Sequence, residues 1–240
     1  MNQDISTVVF GAHSVCEVLK NNRRRVERIF TTKQESKAFR QVKGVLPSRI
    51  PVSFVERTTL NKLAGTPDHQ GVVAAVAPFP FRKKLFAPER TPLVVFLDSV
   101  QDPRNLGAIL RSAYCTGCSG VVFAGRQTAP LSGTAHRASA GLAERLEILI
   151  EPSPLEAAKN LIKAGYTLYS GALGGTRISE VDIQLPAVLV VGNEGEGVSS
   201  QIQKLSTRIM LPQQSADVSY NASVAAGLMM FLVSTKHHLI

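Results

Sequence analysis

The sequence predicts an α/β protein in two parts: a small basic N-terminal α/β domain at 1–78 and a larger, mainly parallel-sheet domain at 92–240, joined by a linker at 79–91. Three observations predict this. Apolar strands alternate with helical patterns along the chain, the order that builds a parallel sheet covered on both faces. Prolines at 78, 80, 88 and 92 interrupt that rhythm. The charge also changes: residues 1–90 hold 16 Lys and Arg against 7 Asp and Glu, whereas 91–240 hold 11 of each. The whole net charge of +9 therefore belongs to the first part.

In the first part, Val8 to Gly11 enters a helical pattern that continues through Val15, Val18 and Leu19 until Asn21-Asn22 breaks it. Val26 to Thr31 reads as a strand, Ser36 to Val45 as a helix and Pro51 to Val55 as a strand. Thr58 to Leu63 reads as a short helix with Thr58 or Thr59 near its cap, and Val72 to Ala77 as an apolar strand. In the second part, strands are expected at Leu93–Leu97, Gly120–Phe123, Thr167–Ser170, Ala187–Val191 and Thr207–Leu211. Helices are expected at Asn105–Tyr114, Pro154–Ala164, Ser199–Leu205 and Asn221–Lys236. No internal repeat or low-complexity segment is visible.

Hydrophobic residues make up 44% and charged residues 19%, an ordinary globular balance. With no Trp and 6% aromatics, the cores must rely on Val, Ile, Leu and Ala. Met-Asn-Gln-Asp-Ile-Ser at the N-terminus lacks the pattern of a secretion signal. No apolar run approaches the ~18 residues of a membrane span, and Ala222 to Val233 is too short. A reduced, cytoplasmic protein is the expectation for its three cysteines. Cys115 and Cys118 form a CxxC, but a zinc site needs further ligands, so both are expected as small core residues and no metal is expected. The basic clusters Arg23, Arg24, Arg25, Arg28 and Arg82, Lys83, Lys84 are suited to phosphate contact or to a solvated loop. Neither lies on an amphipathic helix, which disfavours a membrane surface.

Parallel sheets bind ligands at loops beyond the carboxyl ends of their strands. Four such loops are rich in Gly and polar residues. The first runs from Asp98 to Arg111, with Asp102 as N-cap, Pro103 at the first helical position, and Asn105 and Arg111 about two turns apart, facing a common site. The second is Ser170 to Thr176, with Gly171, Gly174 and Gly175. The third is Gly192-Asn193-Glu194-Gly195-Glu196-Gly197. The fourth runs from Leu211 to Gly227 and places Ser219 and Asn221 before an Ala- and Gly-rich helix. None carries GxxxxGK[ST] or the GxGxxG order, which argues against a P-loop nucleotidase and a dinucleotide-dependent oxidoreductase. Taken singly, each loop also reads as an ordinary cap or tight turn.

Taken in order, NxGxxxR, then GNEGEG, then LPxxxxxxSxNxSVAAG resembles the three motifs of the SpoU/TrmH-type ribose 2′-O-methyltransferases of the SPOUT class, over the whole of 92–240. Phe10-Gly11-Ala12-His13-Ser14-Val15 through Asp68-His69-Gln70-Gly71-Val72 resembles the substrate-binding domain of bacterial members acting on large-subunit rRNA. The resemblance implies a C-terminal trefoil knot, a homodimer, and transfer of methyl from S-adenosylmethionine to a ribose 2′-hydroxyl of RNA, a guanosine of 23S rRNA. It implies a cofactor site at Gly171, Ala172, Gly192, Asn193, Leu211, Gln213, Tyr220 and Asn221. It implies a catalytic set of Asn105, Arg111, Glu194, Ser219 and Asn221, and RNA binding by Arg23, Arg24, Arg25 and Arg28.

The weakly acidic 2′-hydroxyl must lose its proton while oxygen, methyl and sulfur align, so positioning is the main task. Arg111 fits phosphate holding and alkoxide stabilisation better than proton abstraction, because a guanidinium stays charged. Glu194 and Asn105 then position Arg111 or the ribose, and Ser219 and Asn221 shape the pocket floor. Three positions depart from the family pattern: Tyr220 and Ala222 replace the usual Leu and Val, and Gln213 replaces a Met. Alternatives are a tRNA substrate and, from another class, a non-catalytic RNA-binding protein; the intact Asn105, Arg111, Glu194 and Asn221 argue against the latter. His13 and His69 touch RNA or serve structurally, His136 lies near a dimer or RNA surface, and His237 and His238 belong to a frayed tail.

Overall fold

The computed structural model describes residues 7–118, 120–215 and 218–240. The first six residues, Ser119, Ala216 and Asp217 lie outside the described residues, so the N-terminal hexapeptide and two positions of the third motif are not placed. The chain divides into two compact units. The first comprises 1–80 together with 106–111 and 130–145, and the second comprises 81–105, 112–129 and 146–240.

The first unit contains β1 (Val8–Phe10), α1 (Ala12–Asn21), β2 (Val26–Thr31), α2 (Lys37–Lys43), β3 (Val52–Phe54), α3 (Arg57–Ala64) and β4 (Val72–Val76). Its sheet runs β1-β4-β2-β3, antiparallel except for the β2–β3 pair. Val8 to Phe10 form a strand and not the start of a helix, because they pair with Val73 to Ala75 of β4. Gly11, at φ 86°, then turns the chain into α1. Asn22 in the left-handed region ends that helix, as its sequence position indicates. The cap of α3 is Glu56 and not Thr58 or Thr59, and its side chain makes no capping bond. One core joins Val15, Val18 and Leu19 of α1 to Ile29, Phe39, Val42, Val72 and Val76.

The second unit is built on six parallel strands in the order β10-β8-β9-β5-β6-β7. They are β5 (Leu93–Asp98), β6 (Gly120–Ala124), β7 (Glu147–Glu151), β8 (Thr167–Arg177), β9 (Ala187–Gly192) and β10 (Thr207–Met210). The helices are α4 (Pro103–Cys115), α5 (Gly133–Ala138), α6 (Pro154–Lys163), α7 (Ser200–Gln203) and α8 (Ala222–Lys236); α5 groups with the first unit, as does the middle of α4. β5 and β9 are buried along their entire length, which is why they read as continuous apolar runs. Each fully buried Val, Leu or Phe contributes about 1.5–3 kcal/mol, and Phe96, Val94, Val188 and Val190 share one cluster with Phe86.

Several expectations change here. The stretch 126–153 holds α5, a 3₁₀ turn at Leu142–Arg145 and β7, none of which its weak periodicity announces. From Phe81 the proline-rich stretch is packed: Arg82 bridges to β7 beside Leu149, and Phe86 is buried. Cys118 is a core residue but Cys115 is exposed. His237 is not frayed, since Nε2 lies 2.8 Å from the Ile183 carbonyl. The second glycine-rich loop belongs to β8, which resumes its pairing with β10 at Thr176 and Arg177.

Strand order reverses direction between β5 and β9. From β5 the chain steps outward to β6 and β7, and it returns to place β8, β9 and β10 on the other side. The crevice beyond the carboxyl ends of strands at such a point is where α/β sheets hold ligands. Of the four polar loops expected to carry chemistry, three follow β5, β9 and β10, and the second lies within β8 where its pairing with β10 is interrupted.

Candidate functional site

Glu194 organises the site. It follows β9, and its carboxylate accepts hydrogen bonds from the backbone N–H of Gln101 (3.2 Å), that of Asp102 (3.2 Å) and the side-chain amide of Asn105 (3.0 Å). These groups surround the N-terminus of α4, where Asp102 caps the helix through the Arg104 N–H (2.7 Å) and Pro103 begins it. A carboxylate there meets both free N–H donors and the positive end of the helix dipole. What burial Glu194 has pushes its pKa up, but the hydrogen bonds from Asn105 and from the Gln101 and Asp102 amides prevail and hold it below the ordinary carboxylate value.

The network continues from Asn105, whose Oδ1 accepts from Asn221 Nδ2 at 3.1 Å. Asn221 Oδ1 in turn accepts from the Ser223 N–H (2.9 Å) and hydroxyl (2.6 Å), capping α8. Residues from three separated motifs thus form one chain, Glu194–Asn105–Asn221–Ser223, with every amide orientation fixed by its neighbours. Arg111 is exposed further along α4, and the described hydrogen bonds of this chain do not extend to it. Six residues carry a helix through one turn and about 240° more. Arg111 therefore leaves α4 about 120° around the helix from Asn105.

The loop after β9 is closed on itself. Asn193 and Gly197 exchange both backbone hydrogen bonds (3.0 and 2.9 Å), and Asn193 Oδ1 accepts from the Gly195 and Glu196 amides. A Cβ on Gly192 would lie 2.0 Å from the Gly197 carbonyl carbon, so only glycine fits there. Beside this loop opens a cavity of about 410 Å³, in the size range of small-molecule sites. Its walls are Gly171 to Leu173 within β8, Val191 to Val198 around β9, Arg208 to Met210 of β10 with Leu211 just beyond, and Ala222, Ala225 and Met229 of α8, with Gln203, Gln213, Ser219 and Tyr220.

Of the expected cofactor set, Gly171, Ala172, Gly192, Asn193, Leu211, Gln213 and Tyr220 line this cavity. Asn221 does not; its side chain is committed to Asn105 and to the cap of α8. Glu194 and Ser219 of the catalytic set line it, whereas Asn105 and Arg111 do not. The two departures Gln213 and Tyr220 hold the loop after β10: Gln213 donates to the Ser215 carbonyl (2.8 Å) and the Tyr220 hydroxyl to that of Pro212 (3.2 Å). Arg208, Met229 and Ala225 also line the cavity and were not anticipated; lone residues inside a strand or an apolar helix carry no motif signal. Among the described residues no group of His, Cys, Asp and Glu is arranged to hold a metal ion.

The arginine cluster of the first unit divides. Arg25 and Arg28 are exposed, Arg25 pairing with Glu27 and Arg28 donating to the Ser53 hydroxyl. Arg23 is half-buried over the Phe79 ring. Arg24 is only 6% exposed and turns inward: Nη2 lies 2.6 Å from Glu144 Oε1 and 3.0 Å from His136 Nε2. Its guanidinium is thereby unavailable to RNA, because burial of an arginine requires such a partner. His136 is fully buried in this cluster and lies at no surface. His69 is fully buried too, with Nδ1 accepting from the Gly71 N–H and Nε2 beside Asn61, a structural arrangement.

Residues 92–231 match the SpoU rRNA Methylase family, and residues 8–82 match the RNA 2′-O ribose methyltransferase substrate binding family. An uncharacterised tRNA/rRNA methyltransferase of Synechocystis is 29% identical over 95% of this chain, which spans 62% of that relative's length. A TrmH family tRNA/rRNA methyltransferase of Staphylococcus haemolyticus, named as such provisionally, is 31% identical over 97% of both chains. In fold, the chain is similar to the SpoU methyltransferase AviRb from Streptomyces viridochromogenes, solved in complex with AdoMet. The TM-score is 0.81 at 21% identity, covering 98% of this chain and 92% of that one. It is also similar to the AdoMet-bound rRNA methyltransferase from Sinorhizobium meliloti, with TM-score 0.79, 22% identity, and coverage of 100% and 90%.

Proposed function

Since this chain belongs to the SpoU rRNA methylase family, we propose that it transfers a methyl group from S-adenosylmethionine to a ribose 2′-hydroxyl of RNA, at a guanosine of 23S rRNA. The observation that carries this reading is the Glu194–Asn105–Asn221 chain standing beside the glycine-walled cavity. The cavity fits the methyl donor chemically. Apolar walls at Val191, Val198, Ile209 and Met229 suit a purine and a thioether-like chain, and strand ends supply backbone groups for a base edge. Gly192 leaves the two passes of the third loop in contact.

When bound, the donor supplies a methyl group already activated by its sulfonium. The protein's remaining tasks are to hold the acceptor ribose and to manage its proton. Asn105 and Asn221 each spend one amide hydrogen within the chain and keep a second for ribose oxygens. Glu194, held ionised by its donors, fixes Asn105 and does not serve as the base. Arg111 binds the adjacent phosphate and stabilises the developing alkoxide, while Ser219 borders the donor side. Arg25 and Arg28, with Arg23, form the phosphate-facing part of a substrate-binding domain at 1–78, ahead of a linker at 79–91 and a catalytic domain at 92–240.

Two further features belong to this reading. A trefoil knot in the C-terminal part is supported by the strand order, in which β9 inserts between β8 and β5 and the chain then crosses back to β10. A homodimer is supported by α8, which is apolar on all sides: Met229, Met230 and Val233 are buried, while Val224, Leu228, Phe231 and Leu232 remain exposed. No helix among the described residues is long and apolar enough to cross a membrane, in keeping with a cytoplasmic enzyme. The test is transfer of labelled methyl from S-adenosylmethionine to total rRNA and, separately, total tRNA, followed by nucleoside analysis. The reading expects 2′-O-methylguanosine in rRNA. Label in tRNA moves the substrate, methylated bases overturn the acceptor, and RNA binding without transfer leaves a non-catalytic RNA-binding protein.

A further inference from the structure

One wall of the cavity carries a cation that no motif announces. Arg208 stands on β10 where its pairing with β8 jumps: Arg208 is level with Ser170, but Ile209 is level with Thr176. Residues 171–175 therefore bow out of the sheet between these two points. Arg208 Nη2 donates to the Leu173 carbonyl within that bow at 2.9 Å, and the side chain is exposed on the cavity. A guanidinium carries five N–H donors in a planar fork, so this bond leaves most of them for a ligand.

Among the described residues lining the cavity, Arg208 is the only Lys or Arg, and Glu194 and Glu196 are the only carboxylates. Both glutamates lie on the loop after β9. Because β8 separates β9 from β10, that loop and Arg208 stand two strand spacings apart, about 10 Å. The cavity thus has an acidic end and a basic end. The methyl donor has two cationic groups, its sulfonium and its α-ammonium, and one anion, its α-carboxylate. Coulomb attraction favours the carboxylate toward Arg208 and the sulfonium, further along the tail, toward the glutamates, while the α-ammonium stays beside the carboxylate whose carbon it shares. A planar fork also matches a carboxylate in two parallel hydrogen bonds.

We infer that Arg208 is a cofactor-binding residue that holds the carboxylate of the donor's amino-acid tail, anchored for that purpose on the Leu173 carbonyl. The inference rests on the methyl-donor reading proposed above. The bland role for Arg208 is to pin residues 171–175, and binding measurements separate the two. Calorimetry of the full chain with S-adenosylhomocysteine and with methylthioadenosine, which lacks the amino-acid tail, compares wild type with Arg208→Gln and Arg208→Lys. Arg208→Gln is expected to weaken S-adenosylhomocysteine about tenfold to a hundredfold, the loss of a charge-assisted contact, and to leave methylthioadenosine unchanged. Arg208→Lys keeps the charge without the fork and falls between. Equal losses for both ligands, or no loss for either, overturn the inference and leave Arg208 a structural tie. A wild-type chain that binds neither ligand overturns the methyl-donor reading itself, and this assignment with it.

Discussion

At the scale of single residues, Gly192 and Glu194 show how little freedom the third loop has. A methyl group at position 192 would collide with backbone at Gly197, and backbone cannot rotate away as a side chain can. Gly192→Ala is therefore expected to cost about 1–3 kcal/mol as an overpacking change and to abolish S-adenosylhomocysteine binding; a melt and a titration check both. Arg111→Ala is expected to lower turnover about 10²–10³-fold, the loss of one charge-stabilising donor, with unchanged donor affinity. Near-full turnover would remove Arg111 from the mechanism. Most of these residues were legible in the sequence because spacing carries them: Asn105, Glu194, Ser219 and Asn221 sit in three ordered motifs. Arg24 was misread for the same reason that Arg208 was missed. A cation's neighbours along the chain do not reveal whether it faces water, a buried Glu144 or a cavity.

At the scale of elements, what could be read was whatever local chemistry dictates. Asp102 and Pro103 mark the start of α4, Asn221 caps α8, and the apolar runs of β5 and β9 announce buried parallel strands. Elements held by distant partners were illegible. β1 is three residues long and exists through its pairing with β4. β7 has glutamates at both ends and is a strand because β6 lies beside it. The glycines at 171–175 look like a turn, yet β8 resumes beyond them because β10 offers a second stretch of edge. Among the described residues, Val224, Leu228, Phe231 and Leu232 leave the outer side of α8 apolar and exposed. If the proposed homodimer forms through this face, Phe231→Glu is expected to halve the particle mass measured by light scattering, with its circular dichroism retained; an unchanged mass would contradict a dimer through this face.

At the scale of the whole molecule, the proposal divides labour between a basic unit that engages RNA and a sheet that holds the donor. The basic unit encloses a buried trio of Arg24, Glu144 and His136. Burial, reinforced by the Arg24 charge, holds the His136 pKa well below its ordinary value, so the folded state keeps this ring neutral. The unfolded chain takes up the proton near pH 6.5. The contribution of His136 is thus present above about pH 6.5 and is lost as pH falls toward the folded value, by at most about 1.4 kcal/mol per pH unit. Wild type should lose stability relative to His136→Asn over that interval in denaturant titrations; parallel curves would show that the ring is protonated in place. The measurement that tests the central claim most directly is Asn105→Ala, assayed for methyl transfer to rRNA and for S-adenosylhomocysteine binding in the same preparation. Asn105 joins Glu194 to Asn221 but does not line the cavity, so transfer should fall at least about a hundredfold, as for a lost positioning contact, while binding stays as in wild type. Transfer at the wild-type rate, or a loss of binding that matches the loss of transfer, would contradict the assignment of this chain of amides to the acceptor side.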